Sequence, residues 1–252
     1  METPTRSHTV PAVMIGLALI VSTGIASQSF LKAKRLNNTV SVAGSTERTV
    51  MSDRVKWSGT FARQVDVAGV KKGNDQLKKD IESAIDYLKK RGIPEADIAV
   101  QAPFSQVMCE GRGQPSYGYA SDCMRVTGYA LQQGFTVEST KVDEVAKIAL
   151  DAPSDLSADG RVFTSNNLEY YYGKLGDLKL EMLEEATKNA KERADRIVRS
   201  TGSEIGVLQS ASMGVFQVTA VNSTEVSDYG AYDTATKEKK VTAIVRTTFL
   251  LK

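Results

Sequence analysis

The side chains that most often do chemistry are scarce in this chain of 252 residues, which has one histidine, His8, and two cysteines, Cys109 and Cys123. Nucleophilic catalysis of the Ser-His-Asp or Cys-His kind needs an imidazole beside the nucleophile. His8 lies next to an apolar N-terminal run, so the rest of the chain has none to offer. Histidine-ligated metals are excluded on the same ground, and the cysteines lack the CxxC spacing of a zinc site. Cys109 and Cys123 instead bracket the Gly- and Pro-containing stretch EGRGQPSYGYASD and are expected to pair in one disulfide. Closing such a loop restricts the unfolded chain and contributes on the order of 3 kcal/mol.

Other candidates for chemistry are weaker. Gly111-Arg112-Gly113 lacks the flanking strand, spacing and helix of a phosphate-binding loop and reads as a turn within a hairpin. Glu184-Glu185 falls on a solvated helix face. Trp57 and the run Tyr170-Tyr171-Tyr172 could line a binding surface, but strands alternate such rings between core and exterior, and packing is the simpler reading. No catalytic residue, cofactor or metal site is therefore expected; an enzyme built from this inventory would have to use carboxylates or tyrosines. Lys plus Arg (32) nearly balances Asp plus Glu (30), so no strong field draws the protein to nucleic acid.

The elements that position these residues can be read from periodicity. Asn38 to Val50 and Asp53 to Val65 alternate apolar and polar residues as strands do. Val70 to Arg91 switches to helical spacing, with Leu77, Ile81, Ala84, Ile85 and Leu88 on one face and Gly92 as the stop. Its lysines alternate with acids, which marks an outer face in solvent. Ile98 to Met108 and Met124 to Glu138 form a long hairpin around the cysteine loop. Ser139 is placed as N-cap of a second helix, Thr140 to Leu150, ended near Pro153. Val162 to Tyr172 is read as a strand. The longest helix runs from Asp177 to Thr201, with Met182, Ala186, Ala190, Ala194, Ile197 and Val198 on its packing face and Gly202 beyond its end. Gly206 to Val221 and Lys240 to Leu251 close the chain as strands, with the polar stretch 222 to 239 between them as a loop or an interface arm. Helices mixed with antiparallel neighbours make the class α+β, with about three amphipathic helices on the sheets.

Before the first strand, Val10 to Ala26 is uncharged and mostly apolar and reads as a signal peptide or a single membrane anchor within residues 1–35. Gly24-Ile25-Ala26 offers a small-x-small cleavage site, and the paired cysteines fit an oxidising compartment. The expected location is periplasmic, attached to the inner membrane where the segment is retained. Lys32, Lys34 and Arg35 point the other way for a retained anchor, since positive residues stay inside.

Val40-Ser41-Val42-Ala43-Gly44-Ser45 with Glu47-Arg48, Gly92-Ile93-Pro94 with Asp97-Ile98, Gly128-Tyr129 with Gln132, and Ala186, Asn189-Ala190, Arg193-Ala194 and Gly202 stand in an order that resembles the SIMPL (DUF541) family. The resemblance covers nearly all of 36–252, read as one α+β domain or two subdomains. It implies an envelope protein linked to oxidative or envelope stress, with some members forming ring-like, channel-shaped oligomers and no known catalytic residues. The bracketed cysteine loop departs from the family pattern. The leading expectation is a non-enzymatic exported protein that forms homo-oligomers. A binding module for an envelope component or partner protein comes second, and a carboxylate- or tyrosine-dependent enzyme third.

Overall fold

The computed structural model describes residues 9–35, 38–110, 125–158 and 160–252. They form helices and antiparallel sheets in an α+β arrangement, divided into two compact units.

The larger unit comprises 48–178 and 217–241. Strand β1 (Thr39–Met51) leads into β2 (Arg54–Val65), the central strand of a six-stranded sheet. Along one side β2 pairs antiparallel with β5 (Arg125–Ser139), from Val55 opposite Ser139 to Val65 opposite Tyr129. The far edge of β5 carries β3 (Ile98–Val100) and β4 (Phe104–Glu110). Side chains alternate across a strand, so Val55, Trp57 and Phe61 of β2 and Leu131, Phe135 and Val137 of β5 share the buried face. Helix α2 (Val70–Lys90) adds Leu77, Ile81, Ala84 and Leu88 to that core, as its spacing predicts, and ends where Gly92 takes a positive φ of 85°.

Helix α3 (Val142–Leu156) departs from expectation at both ends. Its N-cap is Lys141, with no side-chain cap. Ser139 ends β5 instead, donating to Asp97 at 2.9 Å and accepting from the Lys141 amide at 3.3 Å. At the other end the helix runs through Pro153, which was expected to stop it. A proline in a helix frees the carbonyl four residues back, here that of Ala149. The Ser165 hydroxyl donates to this carbonyl at 3.0 Å and accepts the Trp57 indole N–H at 2.9 Å. One hydroxyl thus satisfies a proline-orphaned acceptor and the donor of a fully buried tryptophan. Ser165→Ala strands both groups, so urea unfolding should show about 2–3 kcal/mol of lost stability; an unchanged midpoint would refute the relay.

Ser165 closes β6 (Val162–Ser165), and β7 (Glu169–Tyr171) follows. The single strand expected over 162–172 is therefore two, both paired with β2. They part at Asn166, whose amide and side chain bond Ser58 at 2.9 and 3.1 Å. The stretch 222–239, read as a loop or an interface arm, is a loop tied down by hydrogen bonds, with Val226 and Tyr229 exposed. At its end Lys239 is fully buried and donates to the carbonyls of Asp233 at 2.6 Å and Thr236 at 2.7 Å. At its start the Gln217 side chain holds the Ser227 carbonyl at 2.6 Å and the Ala231 amide at 2.8 Å.

The smaller unit comprises 1–47, 179–216 and 242–252. Helix α4 (Leu175–Arg199) buries Met182, Ala186, Ala190, Ala194 and Val198, while Ile197, expected on that face, is exposed. The alanine ladder lets the helix backbone lie against β1. A Cβ on Gly44 would stand 2.1 Å from the Ala186 carbonyl oxygen and 2.4 Å from the Ala190 nitrogen. The Asn189 side chain accepts from the Ser45 amide at 3.3 Å, and Arg193 donates to the Ala43 carbonyl at 3.1 Å. Strand β1 borders β10 (Glu238–Leu251), which pairs antiparallel with β8 (Ile205–Met213). The strand expected over 206–221 is again two, β8 and β9 (Gln217–Ala220), with Gly214 to Phe216 between them.

Helix α1 (Thr9–Arg35) carries the N-terminal apolar run. Its described side chains, Met14 to Phe30, are almost all exposed, and apolar residues lie on every side. Among the described residues no helix is long and apolar enough to cross a membrane.

Candidate functional site

Among the described residues, the polar groups that come together are mostly bonded to one another. A hollow of about 370 Å³ in the larger unit is lined by Arg54, Lys56, Asp97, Glu138, Ser139, Thr140 and Tyr171. Strand register explains its charge balance, because Lys56 faces Glu138 across one neighbour and Glu169 across the other. Tyr171 donates to Glu169 at 2.6 Å, and this bond, helped by burial, pushes the phenol up to about 12. Tyr87 is also pushed up to about 12, by burial and by its 2.8 Å bond to Asp155. A phenol held this far above neutrality does not act as a base at pH 7. Among the described residues no group of three or more His, Cys, Asp or Glu could hold a metal.

A buried network of three charges ties elements of the larger unit together. Asp80, 5% exposed at its side chain, receives Arg63 through Nε at 2.6 Å and Nη2 at 3.0 Å, and Arg161 through Nη1 at 3.1 Å. Arg63 reaches on to the Gly160 carbonyl at 3.0 Å, and Arg161 lies 5.6 Å from the Phe61 ring centre. The three residues tie β2, α2 and the turn before β6 together.

The residues singled out from the sequence are placed as follows. Trp57 is fully buried, with Phe135 edge-on at 5.4 Å. Tyr170 is buried, whereas Tyr171 and Tyr172 are half-buried. Trp57 and Tyr170 thus pack in the core, while Tyr171 lines the hollow of about 370 Å³. Glu184 is exposed, and Glu185 accepts from Thr46 at 3.0 Å. Cys109 lies in β4 with Val126 of β5 opposite it. Cys123 and Gly111 to Gly113 lie outside the described residues, and so does the geometry of the expected disulfide.

What sequence periodicity missed is an uncovered surface. The outer half of the β4–β5 hairpin is exposed on both faces, with Phe104 63%, Val107 48% and Val126 40% accessible. Strand β8 likewise exposes Val207, Leu208 and Met213, beside a hollow of about 690 Å³ lined by Leu183 and Phe249. The only advance signal was negative: Phe104 to Cys109 and Ile205 to Met213 contain no charge.

Among curated proteins none matches the chain. A family model described as a protein of unknown function (DUF541) matches residues 40–249. That span runs from the first strand, with the Gly44 contact, to the last, and the chain belongs to the SIMPL (DUF541) family.

Proposed function

We propose that the protein is a non-enzymatic, exported component of the cell envelope that works by self-association. The observation that carries this reading is the apolar side chains held in solvent on two edge strands, β4, uncharged from Phe104 to Cys109, and β8, which contains no charge. Natural proteins blunt free edges with charge, proline or a covering element, and apolar residues at an unblunted edge are what a neighbouring subunit covers. Export is supported by α1, whose apolar residues face all directions. A helix apolar all round needs an apolar environment or removal, and either fits a targeting segment.

One experiment addresses both parts. A lysine-reactive crosslinker that does not pass the inner membrane is added to cells with a permeabilised outer membrane. Multiples of the 27.3 kDa chain are expected. Multiples seen only with a membrane-permeant reagent would place the protein in the cytoplasm, and none with either reagent would remove self-association.

A further inference from the structure

We infer that a second copy of the chain docks on the hairpin by antiparallel pairing of β4 with β4 about a two-fold axis through Gln106. The inference rests on the self-association reading and specifies its surface. Of the edge strands described, β3, β6 and β7 have three or four residues each, too short to carry an interface alone. Strand β1 brings Glu47 and Arg48 to its edge. Strand β8 has two register shifts against β10, at Thr248/Phe249 and Phe249/Leu251. Bulges twist an edge out of line and oppose the addition of another strand. Strand β4 has a single shift, between Met108 and Cys109; its register on β5 is unbroken from Phe104, opposite Gln132, to Met108, opposite Gly128, and the contact lies within that run. The one charge in the strand, its last residue Glu110, is already paired with Arg125 at 2.6 Å.

The sequence of that run is self-complementary. Successive side chains alternate between faces, so Phe104, Gln106 and Met108 share one face and Ser105 and Val107 the other. Centring the dyad on Gln106 sets Phe104 opposite Met108 of the second copy, Gln106 opposite Gln106, and Ser105 opposite Val107. An aromatic–thioether contact, favourable in its own right, then repeats on each side of an amide pair that can exchange hydrogen bonds. No like charges meet. The apolar rings now in solvent would be covered, and the sheets of the two larger units would become continuous through β4.

Charge substitution at the axis tests this with the full chain in a mild detergent, its mass followed by light scattering. Gln106→Lys and Gln106→Glu each set like charges directly opposite and should weaken association roughly 5-fold. An equimolar mixture of the two variants should recover it, because a dyad makes the mixed pair attractive. Ser210→Lys, on exposed β8, should leave association unchanged. If the unsubstituted chain associates but the Gln106 variants do so equally well, or their mixture fails to recover, the two-fold β4 contact is wrong and self-association stands. Loss of association in Ser210→Lys alone would move the contact to β8. A monomeric unsubstituted chain would sink both the contact and the reading beneath it.

Discussion

Gly44→Val is expected to unfold the smaller unit or to cost it about 3 kcal/mol or more. The added Cβ would sit 2.1 Å from the Ala186 carbonyl oxygen and 2.4 Å from the Ala190 nitrogen. Both are backbone atoms of a helix, so no side chain can swing aside to make room. Relief requires α4 to lift from β1, which opens the packing of Ala186 and Ala190 and stretches the Asn189 and Arg193 bonds to Ser45 and Ala43. Gly176→Ala is the matched control, because nothing lies within 4 Å of its would-be Cβ. It should be neutral or slightly stabilising, as alanine is in a helix. Equal unfolding midpoints for Gly44→Val and the native chain would show that the close approach is not real.

The second large effect is expected at Asp80. Removing one partner of a buried ion network leaves the remaining charge uncompensated, at about 3–5 kcal/mol. Asp80→Ala leaves two guanidiniums facing each other with side chains only 15% and 17% exposed, so the upper part of that range is expected by urea unfolding. Substituting Asp80, Arg63 and Arg161 together by apolar residues should recover much of the loss, since well-packed hydrophobic replacements of buried ion networks are often neutral or stabilising. Glu95→Gln at the exposed Lys89 pair should change stability little, because solvent screens it. A loss at Asp80 no larger than at Glu95 would contradict the role given to the triad.

The parts of the fold that were legible in the sequence are those governed by local period. Leu77, Ile81, Ala84 and Leu88 were readable as a core face, and Met182, Ala186, Ala190 and Ala194 as a close-packing ladder, because a helix repeats its environment every three to four residues. The partner of the ladder, Gly44, was visible only as part of a family motif, since the contact spans some 140 residues of chain. Pro153 was misread for a related reason. Whether a helix continues past a proline depends on what satisfies the freed carbonyl, and Ser165, which does so, comes later in the sequence as an ordinary strand residue. The triad was invisible because Arg63, Asp80 and Arg161 look like outward charges on three separate elements. Breaks within strands, at Asn166 and at Gly214 to Phe216, arise where side-chain bonds or a change of unit end the pairing, and alternation alone does not mark them.

The uncovered hairpin follows the same logic from the opposite side. Val107 and Val126 are apolar strand residues like those of the core, yet both are exposed.

Self-association is therefore the claim on which the account stands, and mass in solution tests it most directly. The full chain, purified in a detergent of known micelle mass and followed by light scattering from low to tens of micromolar, is predicted to show a multiple of 27.3 kDa that persists on dilution to about 10 µM, where an interface worth about 7 kcal/mol remains populated. A protein mass of 27.3 kDa throughout that range would contradict it.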